Sequence, residues 1–424
     1  MTSERGSDPD AAVLADVFGS HDWSDLAARQ ALPDIDFDRL RAYRLARLKA
    51  SLQASDAAMG LLVSPISLRY AVDYGTYALF QSHIPNAYLF LPQEEGPSVL
   101  HGGYGPPPPA VDAVRPARPL AYFDGGEGLA EAARLLADDV VAYLEEIGSD
   151  NRRVAVEYVN PSLTQALLQR GLEVVDGVAV AERARIVKSA DEIACLKWAC
   201  AVAELAIGKV RAAIRPGVSE NRLWALLNYA NLANGGGWHD GRMLASGPRI
   251  NPWCQEASAR CLEAGDLVGL DTDMIGPFGY FADISRTFFC AGAGGRARPS
   301  KRQKQLYRLA HAEIAHNRAL LRPGLTFRDF QRLAYRQDEI YQENAYSCLC
   351  HAVGLCDEYP QIKPAFRGPD ADEGAFEAGM VICVESYVGA PGERDGVKLE
   401  QQLLVTDEGT EALSTFPFEE DLLG

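Results

Sequence analysis

Residues 267–288 read LVGLDTDMIGPFGYFADISRTF. The apolar residues around Val268 and Leu270 favour a strand, as does the run from Tyr280 to Phe289. The turn-forming cluster Gly276-Pro277-Phe278-Gly279 lies between them. The pattern predicts a β-hairpin. Folded about Phe278, it sets Asp273 opposite Asp283. Asp271 stands two residues before Asp273 and so points to the same face. Directly opposed residues lie roughly 4.5–5.5 Å apart at Cβ. Three carboxylates that close repel one another unless a cation sits among them, and a divalent ion, or a pair, supplies that charge.

A second hairpin repeats the logic. VICVESYVG (381–389) and VKLEQQLLV (397–405) flank the turn APGERDG. Centred between Gly392 and Glu393, this hairpin sets Glu385 opposite Glu400. A lone Glu buried in a strand-like run is costly without a partner. His351 lies in the apolar setting CLCHAVGL. The candidate metal ligands are therefore Asp271, Asp273, Asp283, His351, Glu385 and Glu400. Five carboxylates and one imidazole suit a dinuclear pair of hard or borderline divalent ions such as iron, manganese, cobalt or zinc.

Composition sets the frame. A chain of 424 residues with 47% hydrophobic content is long and apolar enough for two or three domains with a large core. A net charge of −17 argues against nucleic acid and against an anionic membrane as partner, because both attract cationic surfaces. No apolar run reaches the roughly 18 residues of a membrane span. The start, MTSERGSDPDAAV, lacks the basic and apolar regions of a signal peptide. Nine cysteines without a CxxC pair read as reduced thiols, so a cytoplasmic protein is expected.

Along the chain, residues 1–34 are polar and acidic and are expected to form an arm. Residues 35–186 alternate helical and strand patterns: a helix over 36–55, strands over 58–65 and 87–92, a helix over 127–146, a strand over 153–159, a helix over 161–169 and a strand over 172–175. This reads as a small α/β domain. Ser189-Ala190-Asp191-Glu192 is a helix start, and a long helix over 193–214 opens the second domain, 187–424. Arg215-Pro216-Gly217-Val218-Ser219 and Arg322-Pro323-Gly324-Leu325-Thr326 each follow one long helix and precede another. They mark two similar halves, each contributing one acid-bearing hairpin, with a metal pair at the seam.

These residues resemble the creatinase/aminopeptidase P/prolidase superfamily, whose domain is called the pita-bread fold. ARIVKSADEIACLKWA is similar to that family's domain junction. Asp273 and Asp283 (in GYFADISRTF), His351, Glu385 and Glu400 (in GVKLEQQLLVTDEG) match its ligand pattern in order. The resemblance implies an α/β (α+β) protein: a creatinase-like N-terminal domain, a pita-bread domain with pseudo-twofold halves, and a homodimer. There are departures. An extra acid, Asp271, precedes the usual first ligand by two. Asp357 stands in Asp357-Glu358-Tyr359-Pro360 where the peptidases have a His. SGPRINPWCQEAS lacks the peptidases' upstream His, and Glu385 is followed by Ser386 rather than Pro. Metal binding is thus expected to be intact and peptide hydrolysis compromised.

That combination is similar to a non-peptidase branch, the DddP-type dimethylsulfoniopropionate (DMSP) lyases. The branch uses a six-ligand site, generally with iron, and splits DMSP into dimethyl sulfide and acrylate. The resemblance implies Asp357 as catalytic base and Tyr346 as a pocket residue. The small zwitterionic substrate carries a sulfonium, which an aromatic face attracts by roughly 0.5–2 kcal/mol. Trp253, Trp238 and the adjacent His239 are the expected substrate contacts, and Arg286 is expected to pair with a nearby acid. The rival readings are a dinuclear hydrolase of Xaa-Pro peptides or small cyclic amides, and a binding module without catalysis. The second conflicts with a full set of six ligands.

Overall fold

The computed structural model describes residues 33–295 and 297–424; residues 1–32, most of the expected arm, lie outside it. The described residues form two compact units, Asp36–Ile186 and Val187–Gly424. No helix among them is long and apolar enough to cross a membrane.

The first unit is a six-stranded mixed sheet in the order β4-β3-β2-β1-β5-β6. Its strands are β1 (Met59–Leu62), β2 (Ala87–Pro92), β3 (Val99–Gly102), β4 (Ala113–Arg115), β5 (Arg153–Val156) and β6 (Glu173–Asp176). The longer helices are α1 (Phe37–Ala54), α2 (Pro65–Val72), α3 (Leu129–Glu146), α4 (Pro161–Gln169) and α5 (Gly177–Arg185). Val140, Tyr143 and Leu144 of α3 and Leu163 and Leu167 of α4 pack with Met59, Leu61, Tyr88 and Phe90 of the sheet in one core. Helix α2 corrects the reading of 58–65 as strand throughout. Ser64 caps its N-terminus through Ile66 N, and Pro65 occupies the first turn, where its missing N–H costs nothing.

The second unit opens with α6 (Ala190–Ala213), closed at its start by a capping box between Ser189 and Glu192. Then follow α7 (Glu220–Ala233), β7 (Leu244–Ser246), β8 (Leu267–Leu270), β9 (Met274–Ile275), β10 (Phe281–Ala282) and β11 (Arg286–Phe289). Next come α8 (Lys301–Leu320), α9 (Phe327–Leu333), β12 (Cys350–Val353), β13 (Asp357–Ile362), β14 (Val381–Val388), β15 (Val397–Thr406) and β16 (Gly409–Ala412). The sheets run β11-β8-β7, β10-β9 and β13-β12-β14-β15-β16.

Internal symmetry is visible in the backbone. Gly217 and Gly324 both take a left-handed turn, at φ 90° and 81°, which a side chain would strain. Gly217 N donates to Leu262 O and Gly324 N to Phe376 O, each at 2.9 Å. Each turn thereby ties to the segment entering an acid-bearing hairpin. Those segments match residue for residue, LEAGDLVGLD (262–271) with FEAGMVICVE (376–385). The match equates Asp271 with Glu385 and Asp273 with Tyr387. By internal symmetry Asp273 has no carboxylate counterpart in the second hairpin. This longer repeat was missed in reading the sequence because the two stretches share shape and polarity more than identity.

Candidate metal centre and active site

The first hairpin keeps the expected register. Ile275 pairs with Phe281, Met274 with Ala282 and Leu270 with Arg286, so Asp273 stands across from Asp283 and Asp271 across from Ser285. The expected unbroken strand over 280–289 is instead interrupted between β10 and β11, where the acids sit. Side chains take over the missing ladder bonds. Thr272 Oγ1 donates to Ala282 O at 2.7 Å and accepts from Ile284 N at 2.9 Å. Asp283 N donates to Gln402 Oε1 at 3.0 Å.

The second hairpin, β14 with β15, is an unbroken ladder in which Glu385 faces Glu400. His351 pairs with Cys383, and Cys383 with Gln402. Neighbours in register project to one side of a sheet. His351, Cys383, Glu385, Lys398, Glu400 and Gln402 consequently share one face. The two hairpins meet where Glu400 N donates to Ser285 O at 3.2 Å.

The geometry gathers the six proposed ligands. His351 Nε2 lies 3.1 Å from Glu385 Oε1, 3.6 Å from Asp283 Oδ2 and 3.8 Å from Glu400 Oε1. Donor atoms of Asp271, Asp273 and Asp283 lie within 4.8 Å of one another, as do those of Asp283, His351, Cys383 and Glu400. Burial and mutual repulsion push the Asp283 and Glu400 carboxyls well above their ordinary range, and Asp273 to about 8. Burial disfavours charge on His351, but Asp357 and Glu385 outweigh it and raise the imidazole to about 10. Among the described residues, Asp271 Oδ1, Asp283 Oδ1 and Glu400 Oε1 are buried without a hydrogen-bond partner. Orphaned carboxylate oxygens converging on an imidazole fit a divalent metal, which would relieve the repulsion and displace the protons.

Lys398 was not anticipated. It is fully buried, and its Nζ donates to Glu385 Oε2 and to Ser285 Oγ (2.6 Å). It also lies 3.0 Å from Asp271 Oδ2 and 3.6 Å from Glu400 Oε2. The signal was its position two residues before Glu400, hence on the same face.

Asp357 opens β13 with its side chain 61% exposed, and Oδ1 lies 3.5 Å from His351 Nδ1. Packing raises its carboxyl above the ordinary range. The His351 charge pulls it back, and the charges of Glu385 and Asp271 push it up again. Tyr346 turns its ring to Lys398, with Nζ 4.3 Å from the ring centre, and burial pushes its phenol upward.

The segment holding Trp238 and His239 runs beside β9: Ile275 N donates to Trp238 O at 2.9 Å and Asp240 N to Asp273 O at 3.0 Å. His239 Nδ1 bonds Thr272 O at 2.6 Å, its ring stands edge-on to Trp224, and burial lowers it to about 4, so it is neutral. Asp240, also missed, is raised by burial and then by the charge of Asp357. Trp253 is 7% exposed and stacks on Tyr387, so most of its surface is spent on packing. Arg286 corrects its expectation. It pairs with carbonyl oxygens rather than an acid, donating to Glu400 O (2.6 Å), Ser285 O (2.9 Å) and Phe416 O.

Residues 194–407 match the model of metallopeptidase family M24. The dimethylsulfoniopropionate lyase DddP of Roseovarius nubinhibens is 34% identical, over 93% of this chain and 89% of its own. The protein of the same name from Roseobacter denitrificans is 34% identical, over 94% and 90%. An Xaa-Pro dipeptidase of Pyrococcus furiosus is 29% identical over 54% of this chain and 63% of its own. Among solved structures, an Xaa-Pro dipeptidase from Bacillus anthracis superposes with a TM-score of 0.71 at 23% identity, covering 89% of this chain and 99% of that one.

Proposed function

The chain belongs to metallopeptidase family M24, and from its similarity to the two dimethylsulfoniopropionate lyases over most of its length we propose that it is a DMSP lyase, releasing dimethyl sulfide and acrylate by β-elimination. The observation that carries the reading is Asp357: a carboxylate at the rim of the cluster, 3.5 Å from His351, at the position where the sequence resemblance implies an imidazole in the peptidases.

Asp271, Asp273, Asp283, His351, Glu385 and Glu400 would hold the metal, for which we propose a dinuclear iron site. When bound, the metal supplies Lewis-acid stabilisation of the negative charge that builds beside the substrate carboxylate. Asp357 takes the α-proton. The C–H electrons form the C=C bond, the Cβ–S bond breaks, and its electron pair leaves on sulfur as dimethyl sulfide. No water attacks, so a neutral His239 suffices. His351, fixed on Nδ1 by Asp357 and by Ala352 O at 3.1 Å, presents Nε2 to the carboxylates. Trp238, His239, Tyr346 and the edge of Trp253 are proposed as the walls around the sulfonium. Cysteines carried as thiols suit a reducing cytoplasm, and family membership suits a homodimer.

The test is headspace dimethyl sulfide from iron-loaded protein with DMSP, beside Asp357→Ala. Product from the wild type, lost in Asp357→Ala at unchanged metal content, is the expected result. No dimethyl sulfide with any divalent metal overturns the lyase reading and directs assay to Xaa-Pro dipeptides.

A further inference from the structure

The two halves of the second unit are not equivalent in charge. The matched segments equate Asp271 with Glu385. Across each hairpin stand Ser285 and Glu400, so two residues back Asp283 corresponds to Lys398. One half thus places a carboxylate where the other places an ammonium. Both are buried, and both face the same cluster.

How Lys398 divides the carboxylate oxygens is the informative point. Its Nζ engages Oδ2 of Asp271 and Oε2 of Glu385 and Glu400. The other oxygens look elsewhere. Glu385 Oε1 and Glu400 Oε1 turn towards His351 Nε2, while Asp271 Oδ1 is buried with no hydrogen-bond partner among the described residues. One ammonium therefore sets the rotation of three carboxylates and turns one oxygen of each away from itself. Ser285 Oγ, bonded to both Lys398 Nζ and Glu400 Oε2 (2.9 Å), and the Tyr346 ring fix the ammonium from two further sides. Charge among the six proposed ligands and Lys398 also balances, with Asp357 left outside the count as the base. Five carboxylates against two divalent ions leave one negative charge, which Lys398 cancels, with His351 neutral as a ligand.

We infer that Lys398 is a positioning residue of the metal centre, orienting Asp271, Glu385 and Glu400 so that each presents one oxygen to the metal, and seating Tyr346 over the same ammonium. The inference rests on the metal-centre reading above. A pure counter-charge would behave differently. It would compete with the metal, and its removal would tighten metal binding. Removal of a positioning group loosens it, typically by about 10–100-fold.

The experiment is cobalt(II) titration of metal-free full-length protein, followed by the visible absorption of the bound ion and by metal per chain. It compares wild type, Lys398→Met and Lys398→Arg. The expected result is about 10–100-fold weaker cobalt binding in Lys398→Met, an altered visible spectrum, and recovery of most of the affinity in Lys398→Arg, which keeps charge and donors. Unchanged or tighter binding in Lys398→Met, with the wild-type spectrum, overturns the inference. If Lys398→Met does not fold, Lys398→Gln decides: weaker cobalt binding with a changed spectrum supports the orienting role, whereas unchanged or tighter binding with the wild-type spectrum overturns it. A wild type that takes up no cobalt overturns the metal-centre reading itself, a failure distinct from that of the lysine.

Discussion

The two acid-bearing hairpins reach the same centre by opposite means. The hairpin over 267–289 breaks its backbone ladder where the acids stand, and Asp273 takes a φ of 37°. Thr272 and Gln402 then supply the bonds the ladder lost. The hairpin over 381–406 keeps its ladder whole and compensates charge instead, with Lys398 against Glu385 and Glu400. Strain in one is answered by polar side chains bonded to backbone, crowding in the other by a buried cation. Both devices hold carboxylates in places they would otherwise avoid.

The comparison is broken most severely on the regular side. Glu400→Gln removes one carboxylate charge from the centre of the ladder, and the bound metal is expected to weaken about 100-fold, read as metal per chain after dialysis. Retention of the full metal complement would show that Glu400 is no ligand. On the irregular side, Thr272→Val keeps the shape but leaves Ala282 O and Ile284 N without partners. A loss of roughly 2–6 kcal/mol in urea unfolding is expected, since each of the two orphaned buried groups costs about 1–3 kcal/mol. A near-neutral result would mean that the ladder tolerates the gap unaided.

A pH experiment sharpens the account of β14 from behind. Glu313 of α8 bonds Ser386 Oγ (2.7 Å) and Gln337 Nε2 (2.6 Å), and burial raises it from 4.5 to about 7. A folded value above the unfolded one means that the folded state holds the proton longer. Its contribution is full below pH 4.5 and is lost as pH rises through 7. Glu313→Gln cannot ionise. It should match wild type near pH 4 and exceed it by about 3 kcal/mol at pH 8. Equal gains at both pH values in denaturant titrations would refute the assignment. The smallest effect is expected for Gln402→Leu, which frees Asp283 N from its side-chain partner at a cost of about 1–2 kcal/mol. If it instead equals Thr272→Val, the clamp between the hairpins matters as much as the internal repair.

Much of this was legible beforehand because hairpins are governed by parity. Turn residues at Gly276–Gly279 and around Gly392 locate the centres, and counting outward sets Asp273 across from Asp283 and Glu385 across from Glu400. The interruption between β10 and β11 was not legible, since apolar residues on both sides of Asp283 carry the strand signal straight through it. Lys398, Thr272, Ser285 and Gln402 have the right parity but ordinary identities. Only knowledge of which oxygen or amide each one reaches separates them from surface polar residues. Helix α2 hides for a different reason: Leu61, Leu62 and Val63 carry a strand pattern almost up to Ser64 and Pro65, and the two helix-start residues were read as its end.

The spacing of the donors along the chain has a consequence in time. Asp271 leaves the ribosome 129 residues ahead of Glu400, and no short segment between them carries a complete ligand set. During synthesis the early acids have neither Lys398 nor their partner hairpin. The centre comes into being only when β15 closes against Ser285. The complete six-ligand set therefore assembles only once β15 is in place, and a chain arrested before it lacks both Glu400 and Lys398.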